Sequence, residues 1–204
     1  NDAFGTSHRA HASTAVIAKF VPEDKAFGTL LAGEIDALDK VLANPEKPLT
    51  AIIGGAKVSS KLGIIEHLIS RVDRLIVGGG MAYTFVQAQG GSIGNSLVEP
   101  EMHAQALAIL EKAQSSGTEL LLPADTLCAD AFAPDANTQV VPTNAIPADW
   151  MGLDIGPETT ARFVDAVLTS KTVLWNGPMG VFEMAAFANG TNAVAAALAK
   201  ATAD

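Results

Sequence analysis

Lys57 and Lys61 stand four residues apart, directly after Gly54-Gly55-Ala56 and flanking a predicted helix start. The unsatisfied N–H groups of a helix start already amount to roughly half a positive charge, so two lysines there oppose the helix unless an anion shares the site. A polyphosphate is such an anion. Solvated surface lysines are the alternative, and phosphate binding is the favoured reading. Three further Gly-rich turns, Gly78-Gly79-Gly80, Gly152-Leu153-Asp154 and Asn176-Gly177-Pro178-Met179-Gly180, follow strands or open helices. Without a Cβ, glycine lets a base or phosphate pack directly against main chain. Any single turn is explained by ordinary strand-to-helix geometry. Four in one α/β domain shift the balance toward a bound ligand.

Other residues add to this chemistry or limit it. Glu183 follows Val181-Phe182 at the end of the last turn, where its carboxylate would accept from ribose hydroxyls or complement the first turn of a helix. His8, Arg9 and His11 form a compact basic cluster in which Arg9 could fork two donors onto a carboxylate or phosphate. A metal is not expected there, because no cysteine or third histidine lies nearby. His67 and His103 fall on predicted helices and read as structural, and Met81, Phe85, Met151 and Trp175 as core or pocket wall. Tyr83 has no evident base or nucleophile partner. Several catalytic signatures fail. Gly54 to Lys61 lacks Walker A spacing, and Tyr83 stands where the dinucleotide fingerprint requires a small residue. Neither a G-x-S-x-G elbow nor an H-E-x-x-H helix occurs, so a hydrolase has no support.

The elements that position these turns follow from periodicity. Helical spacing of Leu30, Leu31, Ile35, Leu38, Val41 and Leu42 predicts a helix over 23–43, stopped by Asn44-Pro45 and Pro48. A short apolar run at 49–53 predicts a buried strand, and Leu62, Ile65, Ile69 and Val72 a helix over 60–72 with Ser59 as its N-cap. The unit then repeats as a strand at 75–77 and a helix over 81–89. Beyond it come a helix near 100–115, a strand at 119–122, a helix over 158–169, a strand at 172–175 and an Ala-rich helix over 185–202. The Pro-punctuated segment 123–157 reads as irregular with short strands. Strands alternating with helices imply parallel crossovers and a sheet covered on both faces, with ligands at the C-terminal strand ends. The glycines sit at those ends.

Composition bounds the function class. The 204 residues carry a net charge of −9 with no clustered Lys/Arg face, which argues against nucleic acid. No apolar run reaches the roughly 18 residues of a membrane span. One cysteine, Cys128, cannot form an internal bridge and fits a reducing, cytoplasmic setting. The start at Asn1-Asp2 shows neither initiator Met nor signal segment, as in a chain cut from a larger protein.

Five motifs in order, 1–13, 53–58 (Ile-Gly-Gly-Ala-Lys-Val), 78–82 (Gly-Gly-Gly-Met-Ala), 150–154 (Trp-Met-Gly-Leu-Asp) and 173–183 (Val-Leu-Trp-Asn-Gly-Pro-Met-Gly-Val-Phe-Glu), resemble phosphoglycerate kinase. The likeness runs the whole chain. It implies a two-domain, hinge-bending, monomeric glycolytic kinase that moves a phosphoryl group between 1,3-bisphosphoglycerate and MgADP, giving 3-phosphoglycerate and MgATP. By this resemblance the fold is a Rossmann-like three-layer α/β domain, incomplete at both ends. Residues 1–20 end the N-terminal triose-binding domain, 21–45 form the interdomain hinge helix, and 46–204 form most of the nucleotide-binding domain. Most of the triose-binding domain and a late Gly-rich turn with a metal-engaging Asp would then lie outside the chain. The alternative for the chain by itself is a nucleotide-binding fragment without turnover.

Residue by residue, the resemblance implies that Arg9 binds triose phosphate, Lys57 stabilises the phosphoryl group in flight, and Lys61 contacts nucleotide phosphates, with Asn176 near them. It assigns Gly55, Ala56, Gly79, Gly80, Leu97, Gly152, Leu153, Pro178, Gly180 and Val181 to the adenine and ribose pocket and Glu183 to the ribose. The cofactor is Mg2+ carried with ADP or ATP, without a dedicated protein metal site in this chain. Ser60 departs from the family's common Asp. A local electrostatic change is expected from it, since a serine can still cap a helix.

Overall fold

The computed structural model describes residues 1–203. The chain divides into two compact units, Asn1–Pro45 and Glu46 onward.

In the first unit, single 3-10 turns at Phe4–Thr6 and Val16–Lys19 precede helix α1, Thr29–Ala43. The helix starts later than its apolar spacing predicts, and the reason is Asp2. Its Oδ1 accepts the Leu31 N–H at 2.7 Å, satisfying a first-turn donor that a local cap residue would otherwise serve. The Gly28 N–H donates to the Asn1 carbonyl at 2.8 Å. Asp2 thus sets the first turn at residue 29, and residues 25–28 run in without regular structure.

The second unit is built on a parallel sheet of β1 (Leu49–Ile53), β2 (Arg74–Val77), β4 (Glu119–Leu121) and β9 (Thr172–Asn176), in the order β4-β2-β1-β9. Ile52 pairs in register with Ile76, and these two with Leu121 meet Phe163, Val167 and Val194 on one face. Those partners belong to α5 (Pro157–Leu168) and α6 (Asn189–Ala203). Ala51, Ile53, Leu75 and Val77 alternate to the opposite face and are as fully buried, leaving α2 (Leu62–Leu68), α3 (Ala82–Ala88) and α4 (His103–Ser116) to cover it. The result is the three-layer α/β arrangement that the sequence pattern predicts. α4 stops at Gly117, whose φ of +73° is the left-handed conformation that ends a helix at low cost in glycine.

The segment 123–157 is more ordered than its composition predicts. It supplies β5 (Asp125–Ala129), β6 (Thr138–Pro142) and β8 (Met151–Ile155), an antiparallel sheet in the order β6-β5-β8, while the two-residue strands β3 (Ser92–Ile93) and β7 (Ala145–Ile146) pair beside it. Gly152-Leu153-Asp154 therefore lies within strand β8 and is not a turn. Two more helices take their caps from these strands. Asp125 Oδ2 accepts the Glu158 N–H at 3.0 Å and Oδ1 the Thr159 N–H at 2.7 Å at the start of α5. Asp154 Oδ2 accepts the Gly190 N–H at 2.8 Å at the start of α6.

Neither serine before α2 caps it. Lys61 occupies the N-cap position of α2, the Ser60 hydroxyl donates to the Lys57 carbonyl at 2.8 Å, and the Ser59 hydroxyl donates to Glu99.

Candidate active site

The turns that follow β1, β2 and β9 lock together through main chain. Gly54 N–H donates to the Asn176 carbonyl at 2.8 Å, Gly55 N–H to the Pro178 carbonyl at 3.2 Å, and Gly79 N–H to the Met179 carbonyl at 3.1 Å. Two glycines are obligatory for this. Any Cβ on Gly54 would collide with the Pro178 and Gly177 carbonyl oxygens. Gly79 has a φ of +67°, and a Cβ there would stand 2.6 Å from the Gly55 nitrogen. The neighbours of β1 are β2 on one side and β9 on the other, so the locked turns lie where connections diverge, the usual ligand crevice of an open α/β sheet.

Above these turns lies a cavity of about 520 Å³, lined by all the residues assigned from sequence to the adenine and ribose pocket: Gly55, Ala56, Gly79, Gly80, Leu97, Gly152, Leu153, Pro178, Gly180 and Val181. Glu183 also lines it. Its carboxylate is not in a helix first turn, because α6 begins only at Asn189. Such a volume falls in the range of about 300–1,000 Å³ typical of small-molecule sites. The walls are mainly apolar side chains and glycine backbone.

Lys57, Lys61 and Asn176 are not among the lining residues but flank the same turns. Lys61 Nζ donates to Asn176 Oδ1, joining the segment after β1 to the end of β9. Lys57 is exposed on that segment. Arg9 belongs to the first unit, where its Nε donates to His8 Nε2 at 3.2 Å.

Tyr83, Asn95, Phe132, Met151 and Met179 also line the cavity. Met151 is wall, one of the two roles read from sequence. Phe132 is 60% exposed despite its size. An aromatic residue set in a polar, Pro-punctuated segment was the available signal for it. Tyr83 is packed so closely behind Gly152 that any Cβ there would strike its phenolic oxygen. Burial pushes the Tyr83 phenol above its ordinary range, so it stays neutral. Burial likewise pushes the Cys128 thiol up, the opposite of an activated nucleophile.

Beneath Gly180 lies Asp154, only 1% exposed. Burial raises its carboxyl to about 6, while the hydrogen bonds from Gly190 and Ile155 N–H pull the other way. Val181 N–H donates to the Leu153 carbonyl at 2.8 Å, so β8 and the turn after β9 form one wall.

The family model described as phosphoglycerate kinase matches residues 1–204. The chain belongs to the phosphoglycerate kinase family. Among curated members it is 56% identical over 200 residues to cytosolic phosphoglycerate kinase 3 of Arabidopsis thaliana and 54% identical over 202 residues to the cytosolic enzyme of Triticum aestivum. These alignments cover 98% and 99% of the chain but 50% of each relative, so it spans about half their length. Among solved structures, phosphoglycerate kinase from Coxiella burnetii superposes with a TM-score of 0.89 at 45% identity, covering 98% of this chain and 51% of that one. The Pyrococcus horikoshii family member gives 0.83 at 26% identity, with the same coverage.

Proposed function

We propose that this chain carries the nucleotide-binding half of a cytosolic, monomeric phosphoglycerate kinase. In the full-length protein it would support reversible phosphoryl transfer between 1,3-bisphosphoglycerate and MgADP, giving 3-phosphoglycerate and MgATP. The observation that carries this reading is the convergence of three parallel-strand ends and β8 on one mainly apolar cavity, with Lys57, Lys61 and Asn176 beside it. The base occupies the space between Gly79, Gly80, Leu97 and Leu153, and the ribose hydroxyls donate to Glu183. The phosphates run toward Lys61 and Asn176. Mg2+ arrives with the nucleotide as part of the substrate. Among the described residues, no group of three His, Cys, Asp or Glu side chains is placed to hold an ion by itself.

In phosphoryl transfer, charge spreads over the oxygens of the moving group, so positioned cations and in-line geometry supply the catalysis, and no covalent nucleophile is needed. Lys57 takes that role on the moving group. Arg9 binds the triose phosphate from residues 1–20, the end of the triose-binding domain, and 21–45 form the hinge. The separation of Asn1–Pro45 from Glu46 onward supports the boundary between the hinge and the nucleotide-binding part. Domain closure then brings the acyl phosphate to the ADP β-phosphate and excludes water. A net charge of −9 supports small-molecule partners over nucleic acid. The chain's coverage of half its relatives favours a second reading for the chain alone, nucleotide binding without turnover.

The test is Lys57→Ala in the full-length protein. Loss of a group that acts on the transition state lowers kcat by about 10²–10³ with little change in nucleotide KM. An unchanged kcat removes Lys57 from this role.

A further inference from the structure

The lysine-bearing segment between β1 and α2 is exposed at Lys57, Ser59 and Ser60, yet the structure fixes it from outside. Glu99 Oε2 accepts the Ser59 N–H at 3.0 Å, and Oε1 accepts the Ser59 hydroxyl. Glu99 is itself anchored, its N–H donating to the buried Thr84 Oγ1 of α3 at 3.1 Å. It stands two residues after Leu97, which walls the cavity. Burial pushes the Glu99 carboxyl up, but the Ser59 hydroxyl and N–H, the Val58 N–H and the Lys57 charge together bring it below its ordinary value. A carboxylate beside the phosphate-facing lysines is, by charge alone, the wrong residue. It should repel a polyphosphate.

We propose that Glu99 is a positioning residue: by holding Ser59 through both N–H and O–H, it fixes the turn that carries Lys57 and Lys61 against the segment that walls the base cavity. This rests on the nucleotide reading above. The turn is braced internally by Ser60 Oγ–H on the Lys57 carbonyl and by Lys61 N–H on the Val58 carbonyl at 2.9 Å, so it moves as one piece. Ser59 is the point where Glu99 grips that piece. The role concerns phosphate contacts and leaves the base cavity as it is. Its effect therefore separates nucleoside from nucleotide.

The test is calorimetric titration of the chain with MgADP and with adenosine, for the parent, Glu99→Ala, Glu99→Gln and Ser59→Ala, each with its thermal unfolding recorded. Two hydrogen bonds to a charged group are lost in Glu99→Ala, so MgADP binding weakens about tenfold while adenosine binding changes by less than about twofold. Glu99→Gln keeps the grip, its amide oxygen accepting the Ser59 N–H and its NH2 donating to Ser59 Oγ. It stays within about threefold of the parent or binds more tightly, because a negative charge is gone. Ser59→Ala gives an intermediate loss.

Tighter or unchanged MgADP binding by Glu99→Ala would show that Glu99 acts only by charge, and would overturn the proposal. So would equal loss of adenosine and MgADP, or a Gln variant as weak as Ala. A folded parent that binds adenosine and MgADP not at all would instead bring down the nucleotide reading, and this proposal with it.

Discussion

Replacing Asp154 with Asn should change how the stability of this fold depends on pH. In the folded chain the carboxyl is raised from 3.8 to about 6 by burial, without a neighbouring cation to offset that cost. Between pH 4 and 6 the folded state therefore binds a proton that the unfolded state has released, and stability falls as pH rises through that window. A shift of roughly two units at about 1.4 kcal/mol each makes the total close to 3 kcal/mol, fully present below pH 4 and lost above pH 6. Asparagine does not titrate. It also has one fewer acceptor for the Gly190 and Ile155 N–H groups, a constant cost that shifts the curve without changing its shape. Urea unfolding followed by fluorescence of Trp150 and Trp175 at pH 4, 5, 6 and 7 measures the difference between variant and parent. That difference should move about 3 kcal/mol in favour of Asp154→Asn from pH 4 to pH 7. A difference constant to within about 0.5 kcal/mol across this range would mean instead that Asp154 ionises as freely folded as unfolded.

Two further substitutions test the scaffold of the site. Gly79→Ala combines a left-handed φ of +67° with a Cβ 2.6 Å from the Gly55 nitrogen, and should lower stability by about 2 kcal/mol or more in the same urea assay. Stability equal to the parent would mean that the turn relaxes at no cost. Asp125→Ala strips the start of α5 of its cap at Glu158 and Thr159 and should cost about 2 kcal/mol, with α5 amides exchanging hydrogen faster. Unchanged exchange across 158–160 would deny the capping role.

How far the sequence reveals this molecule depends on how local each determinant is. The parallel strands and their helices are legible, because β1 and β2 are short, mainly apolar runs and the helices repeat at 3.6 residues. Helix starts are less so. α1, α5 and α6 are capped by Asp2, Asp125 and Asp154, which lie 29, 33 and 36 residues from the donors they serve, distances no local capping pattern encodes. Ser59 looks like a local cap, yet Glu99, 40 residues away, takes its hydroxyl. The antiparallel sheet is obscured because β5, β6 and β8 are each five residues long and separated by prolines, too short for an alternation to stand out. In the site, the glycines and lysines are legible from their types and positions. Tyr83 and Asn95 are not, because only the fold brings those chain-distant side chains to one cavity, and Phe132 is marked only by its aromatic type in a polar segment.

On the proposed function, the cavity between β8 and the locked turns of β1, β2 and β9 takes an adenine nucleotide with its phosphates toward Lys61. Calorimetric titration of the chain with MgADP tests it most directly, run beside Lys61→Ala and Glu183→Ala variants shown to be folded. The expected result is saturable binding by the parent, weakened roughly ten- to a hundredfold in each variant, as loss of one charged hydrogen bond implies. No binding by a well-folded parent, or undiminished binding in both variants, would contradict it.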